Sequence, residues 1–187
     1  MELQNTDNNF LYMRNAESEK NGLKKLIDYI NLFANTKELN MIEIGSYLGE
    51  STIMFAEHFN SVLSIDPFIE DYDPNDDTCS HAPLNKVFEQ FKKNISNVSN
   101  IHHIRETSDD AINKIPQKKY FMVYIDGVHT YEQVKKDINN YKNIIPEGGF
   151  VCGHDYSVHW QGVKDSVNEM FGSPDMVFED NSWAKRI

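Results

Sequence analysis

Met41-Ile42-Glu43-Ile44-Gly45-Ser46-Tyr47-Leu48-Gly49-Glu50-Ser51-Thr52 is the stretch whose reading decides the fold. An apolar run ends at one glycine, and a second glycine stands at the head of a helical pattern. Glycine at such a corner lets backbone approach a ligand closely, because no Cβ intervenes. In an open α/β sheet, ligands bind in the crevice beyond the carboxyl ends of the strands. The stretch therefore predicts strand, turn and helix, with the turn facing a ligand crevice; the same corner is also what plain chain geometry between a strand and a helix requires.

The spacing argues against a dinucleotide. That fingerprint needs G-x-G-x-x-G, whereas Ser46 and Tyr47 follow Gly45 and only Gly49 comes later. Glu50 sits at the helix start, where it repels a phosphate. The pattern E-x-G-x-x-x-G resembles the nucleoside-binding turn of class I S-adenosylmethionine-dependent methyltransferases. Their ligand has no phosphate and carries a sulfonium cation, so an acidic lining suits it. A second apolar run, Ser61–Ile65, ends in Asp66. An acid there can accept hydrogen bonds from two ribose hydroxyls, although Asp-Pro is also an ordinary turn starter.

At 187 residues the chain reads as one domain, 1–187, with residues 1–17 as an amino-terminal extension. Lys plus Arg number 18 against 29 Asp plus Glu, a net charge of −11. Phosphate contacts need clustered Lys and Arg, so the charge argues against a nucleic-acid partner, and none is expected. No apolar stretch approaches the roughly 18 residues of a membrane span, and Met1 to Asn9 lacks a basic-then-apolar signal pattern. Cys79 and Cys152 form neither a metal spacing nor a disulfide framework. A cytoplasmic protein is expected.

Strands alternate with helical patterns along the chain. Ser18 is placed to cap a helix running to Asn35, with Leu23, Leu26, Ile27, Ile30 and Phe33 at helical spacing. Strands are expected at Asn40–Ile44, Ser61–Ile65, Ile101–Ile104, Tyr120–Ile125 and Phe150–Gly153, with helices at Ser51–His58, from Pro83, from a Ser108 cap to Lys114, from a Thr130 cap through Tyr141 and at Gly162–Phe171. Met176–Phe178 and Trp183–Ile187 read as a closing hairpin. The result is a three-layer α/β, Rossmann-like fold with a mostly parallel seven-stranded sheet and an antiparallel carboxyl-terminal strand.

Two strand ends carry candidate chemistry: Asp126-Gly127-Val128-His129-Thr130-Tyr131 and Gly153-His154-Asp155-Tyr156. In a parallel sheet both open on the same rim, where carboxylates can hold a hard cation that lowers a hydroxyl's pKa. Asp-Gly-x-His-x-Tyr followed by Gly-Gly-x-x-x-x-His-Asp-Tyr is similar to small class I enzymes of the macrolide-sugar and cephamycin O-methyltransferase type, and more distantly to catechol O-methyltransferase. The resemblance runs from about Met41 through Trp183. It implies magnesium or another divalent metal at Asp126, His154 and Asp155, with His129 and Asp126 catalytic. It also implies S-adenosylmethionine held by Glu43, Gly45, Ser46, Tyr47, Gly49, Ser51, Asp66, Ser108, Asp109 and Asp126. One departure stands out: the metal-dependent relatives carry a carboxylate where this chain has His154, and imidazole favours transition metals over magnesium.

Each of these residues also has a plainer reading. His154 suits a hydrogen-bonded polar residue beneath the rim, His129 a helix-start residue facing water and Tyr47 a packing residue, while Trp160, which with His159 is placed past the strand-five end as a substrate-pocket wall, equally suits a core residue. The acidic segment Asp71–Asp77 lacks the Gly and Glu of an EF-hand loop and reads first as solvated surface. The expected activity is methyl transfer to a hydroxyl of a small molecule, a sugar or secondary metabolite. Alternatives are a metal-independent enzyme acting on nitrogen or carboxylate, and a non-catalytic nucleoside-binding module. The amphipathic amino-terminal helix is compatible with a homo-oligomer contact.

Overall fold

The computed structural model describes residues 10–14, 16–70, 73, 82–116 and 119–187. Its strands are β1 (Asn40–Ile44), β2 (Ser61–Ile65), β3 (Ile101–Ile104), β4 (Met122–Ile125), β5 (Phe150–Gly153), β6 (Met176–Val177) and β7 (Trp183–Arg186). Its helices are α1 (Glu17–Asn31), α2 (Glu50–His58), α3 (Leu84–Ile95), α4 (Ser108–Ala111), α5 (Tyr131–Lys142) and α6 (Gln161–Phe171). The sheet order is β3-β2-β1-β4-β5-β7-β6. Strands β1 to β5 are mutually parallel, and β7 runs antiparallel to β5 and β6.

Successive side chains of a strand point to opposite faces, and here both faces are covered. From β1, Met41 joins Leu23, Leu26, Ile27 and Ile30 of α1 and Phe55 of α2, along with Met122, Tyr124 and Phe150. Ile42 and Ile44 join Val134, Ile138 and Tyr141 of α5 and Val163 and Val167 of α6, along with Val123, Ile125 and Val151. Strands apolar on both sides are what a parallel sheet between two helical layers demands. Each fully buried Leu or Ile of these layers contributes about 1.5–3 kcal/mol. A smaller cluster sets Leu84, Val87 and Phe91 of α3 against Leu48 and Phe68, beside the carboxyl rim.

Several local expectations change. Ala16, not Ser18, precedes α1, and it makes no side-chain cap bond. The helix ends at Asn31 rather than Asn35, because the Asn31 side-chain carbonyl accepts from the Thr36 amide and hydroxyl and turns the chain. Thr107 caps α4, accepting from the Asp110 amide, so Ser108 is the first helical residue instead of the cap. Strand β4 starts at Met122, two residues later than expected. Thr130 does cap α5. Cys152 is a buried free thiol; Cys79, residues 1–9 and all of the acidic segment 71–77 except Asp73 lie outside the described residues. Among the described residues no helix is long and apolar enough to cross a membrane.

The chain winds outward from β1 in one direction and from β4 in the other. The carboxyl ends of β1 and β4 thus flank the switch point, where this architecture opens a ligand crevice.

Candidate active site

The turn after β1 is built around two glycines at positive φ. At Gly45, φ is +84°, and a Cβ would lie 2.0 Å from the Asp126 carbonyl oxygen. Gly49, at φ +81°, starts α2 from the left-handed region. Asp66 fastens this turn to β2: one carboxylate oxygen accepts from the Ser46 and Tyr47 amides at 2.9 and 3.0 Å, and the other from the Phe68 amide at 2.8 Å. Of its four or so acceptor directions, about one is left for a ligand hydroxyl. Beneath the turn, fully buried Glu43 accepts from the hydroxyls of Ser46, Ser51 and Thr52. Burial outweighs these bonds and pushes Glu43 up to about 7.

A cavity of about 410 Å³ opens beside the turn, within the range of small-molecule sites. It gathers Gly45, Ser46, Tyr47, Ser51, Asp66, Ser108, Asp126, His129, His154 and Asp155 on one wall system. Three residues expected there are not among its lining. Glu43 supports the turn from below, Gly49 faces Phe91, and Asp109 pairs with Lys136 at 2.7 Å. Beside Ser108 stand two groups that the sequence reading missed. Gln133 donates from its amide to the Ser108 hydroxyl at 3.2 Å and to Asp137 at 3.1 Å. Asp137 is 1 % exposed, and burial pushes it up to about 7. Its signal was legible: an acid on the buried stripe Val134, Asp137, Ile138 and Tyr141.

At the other end, acids and bases alternate. His129 is held between Asp73 and Asp155, with Nδ1 and Nε2 each 2.9 Å from a carboxylate oxygen, and its ring stacks on Trp160 at 4.2 Å. His154 Nδ1 lies 3.1 Å from Asp155 and 3.7 Å from Asp126. Asp126 in turn meets Arg14 at 3.3 Å. Burial alone would lower both imidazoles. The bonds to Asp155 and Asp73 instead lift His129 to about 10, and the neighbouring Asp126 and Asp155 lift His154 to about 9. Burial alone would raise Asp155, but His129 and His154 hold it below the ordinary carboxylate range. His129 therefore departs from the ordinary imidazole value of 6.5 and carries a proton at neutral pH in this arrangement.

Asp126, His154 and Asp155 offer ligand atoms within 4.8 Å of one another. His154 Nε2 is buried and, among the described residues, has no hydrogen-bond partner. This donor set fits a divalent cation, and its imidazole favours a transition ion over magnesium. The cavity lining also fits a cationic nucleoside. It carries the carboxylates of Glu19, Glu50, Asp66, Asp73, Asp126, Asp137 and Asp155, which outnumber Arg14 and the protonated His129 and His154, and among the described residues no lysine.

Residues 42–156 match a family model described as a methyltransferase domain. The chain belongs to the class I methyltransferases. In sequence, this methyltransferase domain is 32% identical over 148 residues to the uncharacterized protein R132 of Acanthamoeba polyphaga mimivirus, covering 73% of this chain and 62% of that protein. In structure it resembles the O-methyltransferase NovP, with a TM-score of 0.66 at 16% identity over 88% of this chain and 78% of that one. A putative caffeoyl-CoA O-methyltransferase from Staphylococcus aureus gives 0.60 at 17% identity, over 87% and 80% of the two chains. A putative methyltransferase from Streptococcus mutans, in complex with SAH, gives 0.62 at 12% identity, over 87% and 94%. These structural likenesses carry the fold.

Proposed function

We propose that this domain transfers a methyl group from S-adenosylmethionine to a hydroxyl of a small acceptor such as a sugar or secondary metabolite. One observation carries the reading: the glycine turn with its Asp66 clasp and the Asp126, His129, His154 and Asp155 cluster line the same cavity. When bound, S-adenosylmethionine supplies an electrophilic methyl on a sulfonium. The close-approaching backbone at Gly45 and the remaining acceptor direction of Asp66 would hold its ribose end, Ser108 with Gln133 and Asp137 its base, and the acidic lining would favour its positive charge. Holding donor and acceptor in line removes much of the barrier by itself.

We assign the acceptor's proton to His129; its two ring nitrogens each lie 2.9 Å from Asp73 or Asp155, so the acceptor hydroxyl has to displace one of those contacts. Because Asp73 and Asp155 hold a proton on it, it serves as a base in the fraction of molecules that have lost that proton, a fraction that grows with pH. Trp160, stacked on its ring, fixes the imidazole plane. Asp126, His154 and Asp155 would hold a divalent cation, whose chemistry when bound is to lower the pKa of a coordinated hydroxyl.

Methyl-labelled S-adenosylmethionine incubated with a panel of sugars, phenols, amines and carboxylic acids tests the assignment. Label on hydroxyl oxygen, lost in His129→Asn, is expected. Label confined to nitrogen or carboxylate would replace it with a different acceptor chemistry.

A further inference from the structure

The segment Phe10–Arg14 crosses the carboxyl rim and walls the cavity with Met13 and Arg14. It is tied down at both ends of the site. Glu50, which heads α2 just after the glycine turn, accepts from the Met13 and Arg14 amides at 2.7 and 3.1 Å. Phe10 and Tyr12 pack on the Leu48, Phe68 and Phe91 cluster. Arg14 itself is 5 % exposed. Its guanidinium donates to the Glu19 carbonyl at 3.4 Å, Asp180 at 3.3 Å, the Tyr124 hydroxyl at 3.1 Å and Asp126 at 3.3 Å. Four of its five donors are thus committed to protein acceptors, which suits holding a neighbour in place better than binding a ligand.

The surroundings are shaped for this contact. Asp180 is fully enclosed, and it also receives the Ser182 amide and hydroxyl. It lies where α1 has a glycine: a Cβ on Gly22 would stand 2.2 Å from the Asp180 carboxylate. A glycine inside a helix costs about 1 kcal/mol relative to alanine, and here that position makes the room Asp180 occupies. Removing Arg14 would leave Asp180 buried without its cation and Asp126 without its fixed neighbour.

We infer that Arg14 is a positioning residue of the transfer site: it clamps the amino-terminal strap across the rim and fixes the Asp126 carboxylate at the cavity wall. The inference rests on the methyltransferase reading for its consequence, cofactor affinity, but not for the clamp itself. A lysine does not replace it, because an ammonium cannot present the planar fork that reaches Asp126 and Asp180 together.

The test uses the full chain as wild type, Arg14→Ala, Arg14→Lys and Asp180→Asn, with calorimetric titration of S-adenosylhomocysteine and hydrogen exchange at the Met13 and Arg14 amides. Loss of charge-assisted bonds predicts affinity at least about tenfold weaker in Arg14→Ala, with lost protection of both amides. Millimolar guanidinium should restore much of the affinity, which it would not do for a merely structural defect. Asp180→Asn, outside the cavity, should weaken binding in the same direction, and it carries the test should Arg14→Ala fail to fold. Binding within twofold of wild type together with unchanged amide protection overturns the inference, as does a loss that guanidinium leaves untouched. Wild-type chain that takes up no S-adenosylhomocysteine refutes the methyltransferase reading instead; the clamp is then judged on exchange, where equal protection in Arg14→Ala overturns it.

Discussion

Replacing Asp137 with asparagine should make this protein's stability less sensitive to pH. The carboxyl is 1 % exposed and takes its hydrogen bonds from neutral donors, with Gln133 at 3.1 Å, and burial raises it from 3.8 to about 7. That displacement corresponds to about 4 kcal/mol in total. The folded chain holds the proton more tightly than the unfolded chain, so the stability from the neutral form is complete below 3.8 and lost as pH rises through about 7. Between about pH 5.5 and 8 the expected loss is about 2 kcal/mol. The asparagine side chain has no such proton to lose and still presents a carbonyl to Gln133. Urea denaturation of both proteins at the two pH values isolates the effect, because Glu43 and the histidines titrate in both and cancel in the difference. The Asp137→Asn variant should gain about 2 kcal/mol on wild type across that interval. A difference constant within about 0.5 kcal/mol, or one that moves towards the aspartate, would show that Asp137 is ionised and paired in the folded state, contrary to its surroundings.

Three further outcomes follow from the same geometry. If His129 is the base, transfer rates should climb with pH towards about 10 rather than level off above 6.5, and His129→Asn should cost about a hundredfold or more and abolish the climb; a plateau from pH 7 would move the base elsewhere. Gly45→Ala drives a Cβ to 2.0 Å from the Asp126 carbonyl at φ +84°, so thermal unfolding should show destabilisation by more than about 2 kcal/mol, and a wild-type melting temperature would contradict the packing of the turn. Manganese should bind more tightly than magnesium and release protons as it does, because His154 is protonated without metal; equal affinities in His154→Ala and wild type would remove the imidazole from the ligand set.

Much of this arrangement is legible in the chain because short-range rules govern it. The run from Met41 to Glu50 contains its own strand, turn and helix start, and Gly45 and Gly49 both take the positive φ that their residue type allows. The positions of the central strands follow from apolar runs such as Met122–Ile125, which bury every residue. Less legible are contacts between segments far apart in the chain. Asp73 meets His129 across 56 positions and Arg14 meets Asp126 across 112, and no local pattern announces either pairing. Those contacts also decide the chemistry, since two carboxylates change His129 from a residue titrating near neutrality to one that keeps its proton. Ser108 shows the opposite problem: its residue type suits a cap, but Thr107 stands one position earlier and takes that role, leaving the Ser108 hydroxyl to receive Gln133 at the cavity wall.

A crystal structure of the chain with S-adenosylhomocysteine tests the central claim most directly. The account predicts adenosyl density along the glycine turn, ribose against Asp66, base beside Ser108 and Asp137, and the sulfur directed towards Asp126 and Asp155. Density on another face of the sheet, or a cavity that stays empty at saturating ligand, would contradict it.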